Sequence, residues 1–302
     1  MVTWPILSPD ADLDPVAPGG RPFDVLFEFI AGAGLGIPAP LAEAYGADLI
    51  LDPPRTIANF VASVDGVVAL PIKSESGQII SRYSAADRFL VGLLRACSDA
   101  VVVGAGTLRK APGDLWHADA IYPSAAVPFA QMRAQLGLFA RPKLVVVTGS
   151  GIIDLTQPAL RDAFIVTTAA GEARLREQRD AFVEVRDAMT AASGGERPVI
   201  ICKSAKIRFE DVWARLRSEG MRTVLVEGGP LLFAELAAAG LVDELFLTLS
   251  PSFFGRFPHD GRKSLIDGLD VSVSELDLLS ARRHGSHLFL RYAMTRSARP
   301  PP

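Results

Sequence analysis

The 302-residue chain has little cysteine, little histidine and no excess of positive charge, and each shortage excludes a class of protein. Two isolated cysteines, Cys97 and Cys202, make neither a disulfide framework nor a C-x-x-C metal site, so a reducing compartment is expected. The four histidines lack any mutual spacing typical of metal ligands, and we predict no metal. The formal net charge of −3, without a basic stripe, predicts that nucleic acid is not a partner.

Long apolar runs are also missing. No stretch approaches the roughly 20 residues that a membrane-spanning helix needs. The opening MVTWPILSPDADLDP lacks the basic and apolar regions of a secretory signal. We therefore expect a cytoplasmic protein with no membrane contact. What the chain does contain is 49% hydrophobic residues, which is enough for a sizeable core.

The apolar pattern predicts alternating strands and helices. Short β-branched runs predict strands at 55–63 with a continuation at 67–70, and at 100–103, 143–147, 164–167, 183–185, 199–202, 224–226 and 245–249. Helices are predicted from a Ser84 N-cap to Cys97, and at about 129–138, 172–179, 210–219 and 230–239. Two final strands, 271–280 and 287–294, follow each other with no helix between them. The pattern predicts an α/β fold: a mainly parallel central sheet, helices on both faces and an antiparallel C-terminal strand pair.

The chain divides into three parts by composition. Residues 1–54 predict an N-terminal extension that is partly disordered or forms short helices. Residues 55–295 carry the strand and helix pattern and predict one domain. Residues 296–302, RSARPPP, predict a disordered tail.

Three predicted strands end in glycine turns: VVVGAGT (101–107), VVVTGSG (145–151) and VEGGP (226–230). Ligands of open α/β sheets bind beyond the carboxyl ends of the strands, and the backbone N–H groups of a helix start attract phosphate. One such turn can be a plain connection, but three in one sheet suggest an extended ligand such as a dinucleotide. The G-x-G-x-x-G fingerprint is not met, because its third glycine position is Arg109.

Glu227 stands at the end of the third of these strands. A carboxylate closing a buried strand costs free energy unless it has partners, and it would repel a phosphate. We therefore expect Glu227 to face a second ligand rather than the phosphate.

The segments NFVASVDGVVA, LLRACSDAVVVGAGTLR and VLVEGGPLLFAELAAAGLVDELFLTLSPSFFG resemble the pyrimidine reductases of riboflavin biosynthesis. These form the reductase half of a bifunctional deaminase–reductase and have a fold like that of dihydrofolate reductase. The resemblance covers about residues 55–294. It implies NADPH-dependent reduction of the ribosyl group of a phosphoribosylamino-pyrimidine to a ribityl group, and a homodimer.

The same resemblance implies the site residues. Cofactor contacts would come from Ala62, from the first turn, from Thr148 and Ser150 near the adenosine 2′-phosphate, and from the backbone at 229–233 around the pyrophosphate. In full, the implied cofactor-binding residues are Ala62, Gly104, Gly106, Thr107, Thr148, Ser150, Gly228, Gly229, Pro230, Leu231 and Leu232. The implied substrate ligands are Arg95, Glu227, Asp65 and Gly77, with Asp65 and Glu227 as the catalytic pair.

Some of these residues have simpler interpretations. Arg95 can be a solvated charge on a helix, and Asp65 can be a turn residue, since Asp-Gly is a turn signal. The loop after the first glycine turn, LRKAPGDLWHADAIYP, also lacks the aspartate pair of the family pattern, although Arg109 and Lys110 could reach a phosphate instead. No H-x-E or P-C-x-x-C signature of the deaminase occurs, so a separate deaminase is expected.

Two other functions therefore stay open. One is an NADPH-dependent reductase of a dihydrofolate or pterin-like heterocycle. The other is a nucleotide-binding protein without turnover.

Overall fold

The computed structural model describes residues 14–17, 19–29, 32–72, 76–187, 199–200, 204–257, 259–270 and 275–294. The strands are β1 (Asp24–Glu28), β2 (Arg55–Ser63), β3 (Ala100–Gly104), β4 (Lys143–Thr148), β5 (Phe164–Thr167), β6 (Val199–Ile200), β7 (Thr223–Val226), β8 (Glu244–Ser250), β9 (Leu276–His284) and β10 (His287–Met294). The helices are α1 (Ala39–Tyr45), α2 (Ser76–Ile80), α3 (Ala85–Ala96), α4 (Ala105–Lys110), α5 (Ala118–Ile121), α6 (Ala126–Gln135), α7 (Ala169–Asp187), α8 (Phe209–Ser218) and α9 (Pro230–Ala238), with 3-10 turns at Pro123–Ala125 and Pro158–Leu160.

All ten strands form one sheet in the order β1-β9-β10-β8-β2-β7-β3-β4-β5-β6. From β8 to β6 every pairing is parallel, and the β1-β9-β10-β8 end is antiparallel. β7 is buried at every position, as a strand covered by helices on both sides must be. The predicted α/β fold with a parallel centre and an antiparallel C-terminal pair is confirmed.

Helices cover both faces of the sheet. On one face α3 buries Phe89, Leu93 and Leu94 in a core cluster that includes Phe129 of α6. On the other face α8 and α9 supply Trp213 and Phe233 to a second cluster. Each cluster removes whole aromatic and aliphatic side chains from water, which contributes about 1.5–3 kcal/mol for each large side chain.

Both ends of α3 are held by specific hydrogen bonds. Ser84 is the predicted N-cap, and its hydroxyl accepts from the Asp87 N–H at 3.3 Å. The buried guanidinium of Arg133, from α6, donates to the carbonyls of Arg95, Ala96 and Ser98 at the C-terminal end. A cation there satisfies carbonyls that have no partner within a helix. α3 is thus a firm support for the side chains that it carries.

Two predicted strands are wrong. Residues 183–185 lie within α7, because two valines in alternate positions are too short a pattern to distinguish a strand from a helix. Residues 67–70 do not continue β2, and only Ala69 forms an isolated bridge, to Lys263. The chain turns after β2 instead of extending the strand. The Val67 N–H donates to the Ser63 hydroxyl at 2.9 Å rather than to a neighbouring strand.

The N-terminal stretch contains more than the predicted short helices. α1 is such a helix, but β1 is a strand that pairs antiparallel with β9 and belongs to the same sheet as the rest of the chain. β9 begins at Leu276, later than predicted. The predicted tail at 296–302, residues 1–13, positions 201–202 of the predicted sixth strand and positions 271–274 of the predicted C-terminal pair lie outside the described residues.

Candidate active site

One large cavity, of about 1410 Å³, opens at the carboxyl ends of β2, β3, β4 and β7. Parallel strands bring the turns that follow them to one edge of the sheet, which is where ligands of such sheets bind. Thirteen of the predicted site residues line this cavity: Gly77, Arg95, Gly104, Gly106, Thr107, Thr148, Ser150, Glu227, Gly228, Gly229, Pro230, Leu231 and Leu232. The structure therefore brings the three glycine turns together around one space.

The turn between β7 and α9 exposes the start of a helix. Gly229 is the N-cap residue and no side chain caps the helix, while Pro230 takes the first position, where no N–H is needed. The N–H groups of Leu231 and Leu232 belong to the first turn, so they have no acceptor within the helix. They are available to an anion in the cavity, and the helix dipole favours one.

Gly229 is not required by the backbone. Its φ of −66° suits any residue, and an added Cβ would meet only Thr107 Oγ1, at an ordinary contact distance of 3.6 Å. By contrast, a Cβ on Gly228 would come within 2.6 Å of Leu232. The missing side chain at Gly229 therefore leaves open space beside the helix start, as a phosphate cradle requires.

The turn after β4 is held rigidly. Thr148 Oγ1 accepts from the Gly151 N–H at 3.1 Å, and Thr167 donates its hydroxyl to the Thr148 carbonyl at 2.6 Å. Gly151 has a φ of +70°, and a Cβ there would collide with the backbone carbonyl of Gly171. A side chain is excluded at Gly151 by the fold itself, whereas Ser150 remains exposed on the cavity wall.

Arg95 and Glu227 form a bidentate ion pair in the wall of the cavity. Arg95 Nε donates to Glu227 Oε1 at 2.8 Å and its NH2 donates to Oε2 at 2.7 Å. Only 7% and 12% of the two side chains are exposed, and a third guanidinium nitrogen donates to the carbonyl of His117. Arg95 is therefore not a solvated surface charge, and Glu227 has the partner that a carboxylate at this strand end needs.

The segment after the first glycine turn, which departs from the family pattern, carries two cationic side chains that donate to backbone carbonyls. Arg109 donates to the carbonyl of Ile152 at 3.0 Å, and Lys110 donates to the carbonyl of Leu70 at 3.0 Å. Both side chains line the cavity. An ammonium group has three donors, so Lys110 has donors left for a ligand.

Two predicted residues lie outside the cavity lining. Ala62 is buried in β2. The Asp65 carboxylate accepts from the Ser63 hydroxyl at 2.5 Å and from the Gly255 N–H at 2.6 Å, and the Phe254 N–H is 3.3 Å from both of its oxygens. The Ser63 hydroxyl and then these backbone donors hold the pKa of Asp65 below its usual value. Asp65 fastens the loop after β8 to the end of β2, and its position gives the predicted catalytic role no support.

Sequence reasoning missed several polar residues of the cavity wall, among them Asp87 and Asn59. Asp87, on α3, is 8% exposed, and burial raises the pKa of its carboxyl to about 6. Asn59, on β2, has a buried Oδ1 without a hydrogen-bond partner among the described residues. The signal for Asp87 was its spacing of eight residues from Arg95, which places both on one side of a helix. Asp87 also stands three residues after the N-cap, where an acidic residue is ordinary in a helix start.

The cavity is positive although the chain is negative. Seven Lys or Arg residues and five Asp or Glu residues line it: Arg88, Arg95, Arg109, Lys110, Lys206, Arg208 and Lys263 against Asp87, Asp114, Glu210, Glu227 and Glu235. The formal net charge of the whole chain is −3. An excess of cations in a cleft raises the local concentration of anionic ligands.

Comparison with known proteins identifies relatives. A family model described as the RibD C-terminal domain matches residues 54–290. A 2,5-diamino-6-ribosylamino-4(3H)-pyrimidinone 5′-phosphate reductase from Archaeoglobus fulgidus is 31% identical over 209 residues, covering 67% of this chain and 82% of the relative.

Solved structures show the same fold. A pyrimidine reductase-like protein from Corynebacterium diphtheriae has a TM-score of 0.60 at 22% identity, covering 81% of this chain and 93% of the other. The riboflavin biosynthesis reductase Rib7 of Saccharomyces cerevisiae has a TM-score of 0.51 at 13% identity, with 83% and 94% covered. Within the part of the chain that the structure describes, no helix is both long and apolar enough to cross a membrane.

Proposed function

Because the chain belongs to the RibD C-terminal domain family, we propose that it is an NADPH-dependent reductase of riboflavin biosynthesis. Its substrate is a phosphoribosylamino-pyrimidine of the 5-amino-6-(5-phosphoribosylamino)uracil type, and its product carries a ribityl chain. The supporting observation is a single cavity of about 1410 Å³ that joins three glycine turns to the Arg95–Glu227 pair.

The residues present fit a dinucleotide. The space beside Gly229 and the N–H groups of Leu231 and Leu232 suit the pyrophosphate, and Thr148 and Ser150 suit the adenosine end. Thr107 lies between these two regions of the cavity lining. When bound, NADPH supplies a hydride to the sugar carbon of the substrate.

The chain's own residues position the substrate. Arg95 locks the Glu227 carboxylate in one orientation through two charge-assisted hydrogen bonds, and each carboxylate oxygen has a second lone pair. Glu227 can therefore accept from ring or amino N–H groups of a pyrimidine while it stays paired. Gly77 lines the same cavity and leaves room beside it. Lys110, which lines the cavity and donates to the Leu70 carbonyl, has donors left for the substrate phosphate.

The test is loss of NADPH absorbance when 5-amino-6-(5-phosphoribosylamino)uracil is added, with dihydrofolate in a parallel reaction. We expect oxidation with the pyrimidine. Oxidation with dihydrofolate alone would assign the protein to pterin reduction, and tight NADPH binding without oxidation of either would favour binding without turnover.

Glu227→Gln sharpens this test. It keeps the size of the side chain but removes the charge that Arg95 pairs with, so turnover should fall while NADPH binding persists. Glu219→Gln, at the surface end of α8 and outside the cavity lining, is the matched control and should change neither.

We also propose that the protein is a cytoplasmic homodimer. β1 ends the sheet, and apolar side chains of β1 and of the residue after it are exposed: Val25, Leu26, Phe27 and Phe29 are 43–57% exposed. An apolar edge strand is a ready template for pairing with another chain. Light scattering should show a dimer that Leu26→Asp weakens, and a wild-type monomer at micromolar concentration would refute the dimer.

A further inference from the structure

The proposed reduction requires a proton as well as a hydride. The sugar of the substrate is a closed ring, and the carbon that receives the hydride is bonded to both the ring oxygen and the pyrimidine amino nitrogen. Breaking the bond to the ring oxygen needs a proton on that oxygen. A general acid that does this must hold its proton in the substrate complex and must face the cavity.

Among the described carboxyl groups that line the cavity, only Asp87 is both buried and without an ion-pair partner. Asp114, Glu210 and Glu235 are exposed, and Glu227 is neutralised by Arg95. Two carboxyl groups in one cavity thus have opposite environments, one paired with a cation and one desolvated. Such a division is how enzymes assign a charged and a protonated carboxyl to one site.

The position of Asp87 is set by α3. Asp87, Val91 and Arg95 stand one turn apart on the side of the helix that lines the cavity. Asp87 therefore lies on the same wall as the Arg95–Glu227 pair. The helix does not need the Asp87 carboxyl for capping, since the Ser84 N–H already donates to the Ser81 carbonyl at 3.1 Å.

The groups around Asp87 leave it poised to hold a proton. Burial is the main cause that raises the pKa of Asp87 to about 6, and the Glu227 charge raises it further. The hydroxyls of Thr248, on β8, and Ser81 and the nearby charge of Arg88 act in the opposite direction. Arg95 is committed to Glu227. His287, from β10, lies with its Nε2 3.0 Å from the Ser81 carbonyl. A bound substrate would remove the remaining water and favour the protonated form further.

We propose, on the basis of the reductase function above, that Asp87 is the general acid that opens the sugar ring. Its carboxyl proton passes to the ring oxygen, which becomes a hydroxyl group as its bond to the sugar carbon breaks. The lone pair of the amino nitrogen forms a C=N bond to that carbon. The hydride then adds to the carbon and the C=N electron pair returns to nitrogen, leaving a neutral amine. Asp87 takes up a new proton from solvent after the product leaves.

The experiment compares wild type with Asp87→Asn, which keeps shape but cannot give a proton. We expect kcat to fall at least about 100-fold, in the range usual for loss of a general acid, while KM and the Kd for NADPH change less than about threefold. Wild-type kcat should fall as pH rises above the pKa of the acid in the complex, and the variant should lose that limb. Asp162→Asn, at an exposed carboxyl outside the cavity lining, is the matched control.

The possible outcomes separate the two proposals. An Asp87→Asn enzyme that retains most of the wild-type kcat, or that raises KM alone, overturns the acid role and leaves the reductase function standing. A wild type with no turnover of the pyrimidine at any pH overturns the reductase function, and the acid role falls with it. If the variant does not fold, the wild-type profile decides, because a kcat that is flat from about pH 5 to 9 contradicts a carboxyl acid.

Discussion

The buried carboxyl of Asp87 predicts a pH-dependent stability cost. Its pKa is about 6 in the folded chain against an ordinary value of 3.8. The folded state therefore binds the proton more tightly, and stability falls as pH rises through the window from about 4 to 6. A difference of about two units at 1.36 kcal/mol per unit corresponds to about 3 kcal/mol. Wild type should carry this full cost at pH 7 to 8 and only a small part of it at pH 4.

Asp87→Asn removes the titration. The free energy of unfolding of the variant, relative to wild type, should therefore increase by up to about 3 kcal/mol between pH 4 and pH 8. Urea unfolding at each pH, followed by tryptophan fluorescence without cofactor, measures the difference directly. Subtracting the free energy of unfolding of wild type from that of the variant cancels the contributions of the other titrating groups.

A difference that does not change with pH would refute the reasoning, because it would mean that Asp87 is solvated enough to ionise freely. Asp162→Asn serves as the reference: its carboxyl is 63% exposed beside Lys143, so its stability difference from wild type should stay within about 0.5 kcal/mol at both pH values. The same variants used for the catalytic test thus report on the protonation of Asp87 in a second way.

Three further sets of variants test the cavity and the turns around it. Gly229→Ala should keep or slightly raise stability, since the backbone there suits alanine. It should weaken NADPH binding at least about tenfold in a fluorescence titration, because the new methyl group fills the phosphate cradle. Gly151→Ala should lower the free energy of unfolding by more than about 2 kcal/mol, since both the positive φ of Gly151 and a backbone carbonyl exclude a side chain. Gly149→Ala, in the same turn, is the control: its added Cβ meets nothing within 4 Å, and it should fold normally. Arg95→Met should cost about 3–5 kcal/mol in urea unfolding by leaving the Glu227 charge buried alone, and Arg95→Met/Glu227→Gln should recover part of that loss; equal losses in both would contradict the pairing.

Much of the fold follows from local pattern. β-branched runs and a serine cap were sufficient to predict most of the strands and helices, because these signals act within a few residues. The end of α9 is equally local: Gly240 has a φ of +65°, and the Leu241 N–H donates to the Leu236 carbonyl at 3.0 Å, as the helix-ending motif requires. The errors at 67–70 and 183–185 fell where the local pattern was only two to four residues long.

The sequence by itself determined the sheet, the three glycine turns and the family, because strand periodicity, glycine chemistry and motif spacing are all properties of contiguous residues. Only the tertiary structure decided what the charged side chains do. Arg95 pairs with Glu227 across 132 positions, Asp65 accepts hydrogen bonds from the loop after β8, and Asp87 lies buried on the cavity wall without an ion-pair partner among the described residues. Whether a carboxyl group is charged, paired or protonated depends on the water it loses and on the partners that other segments bring to it. The neighbouring residues in the sequence determine neither.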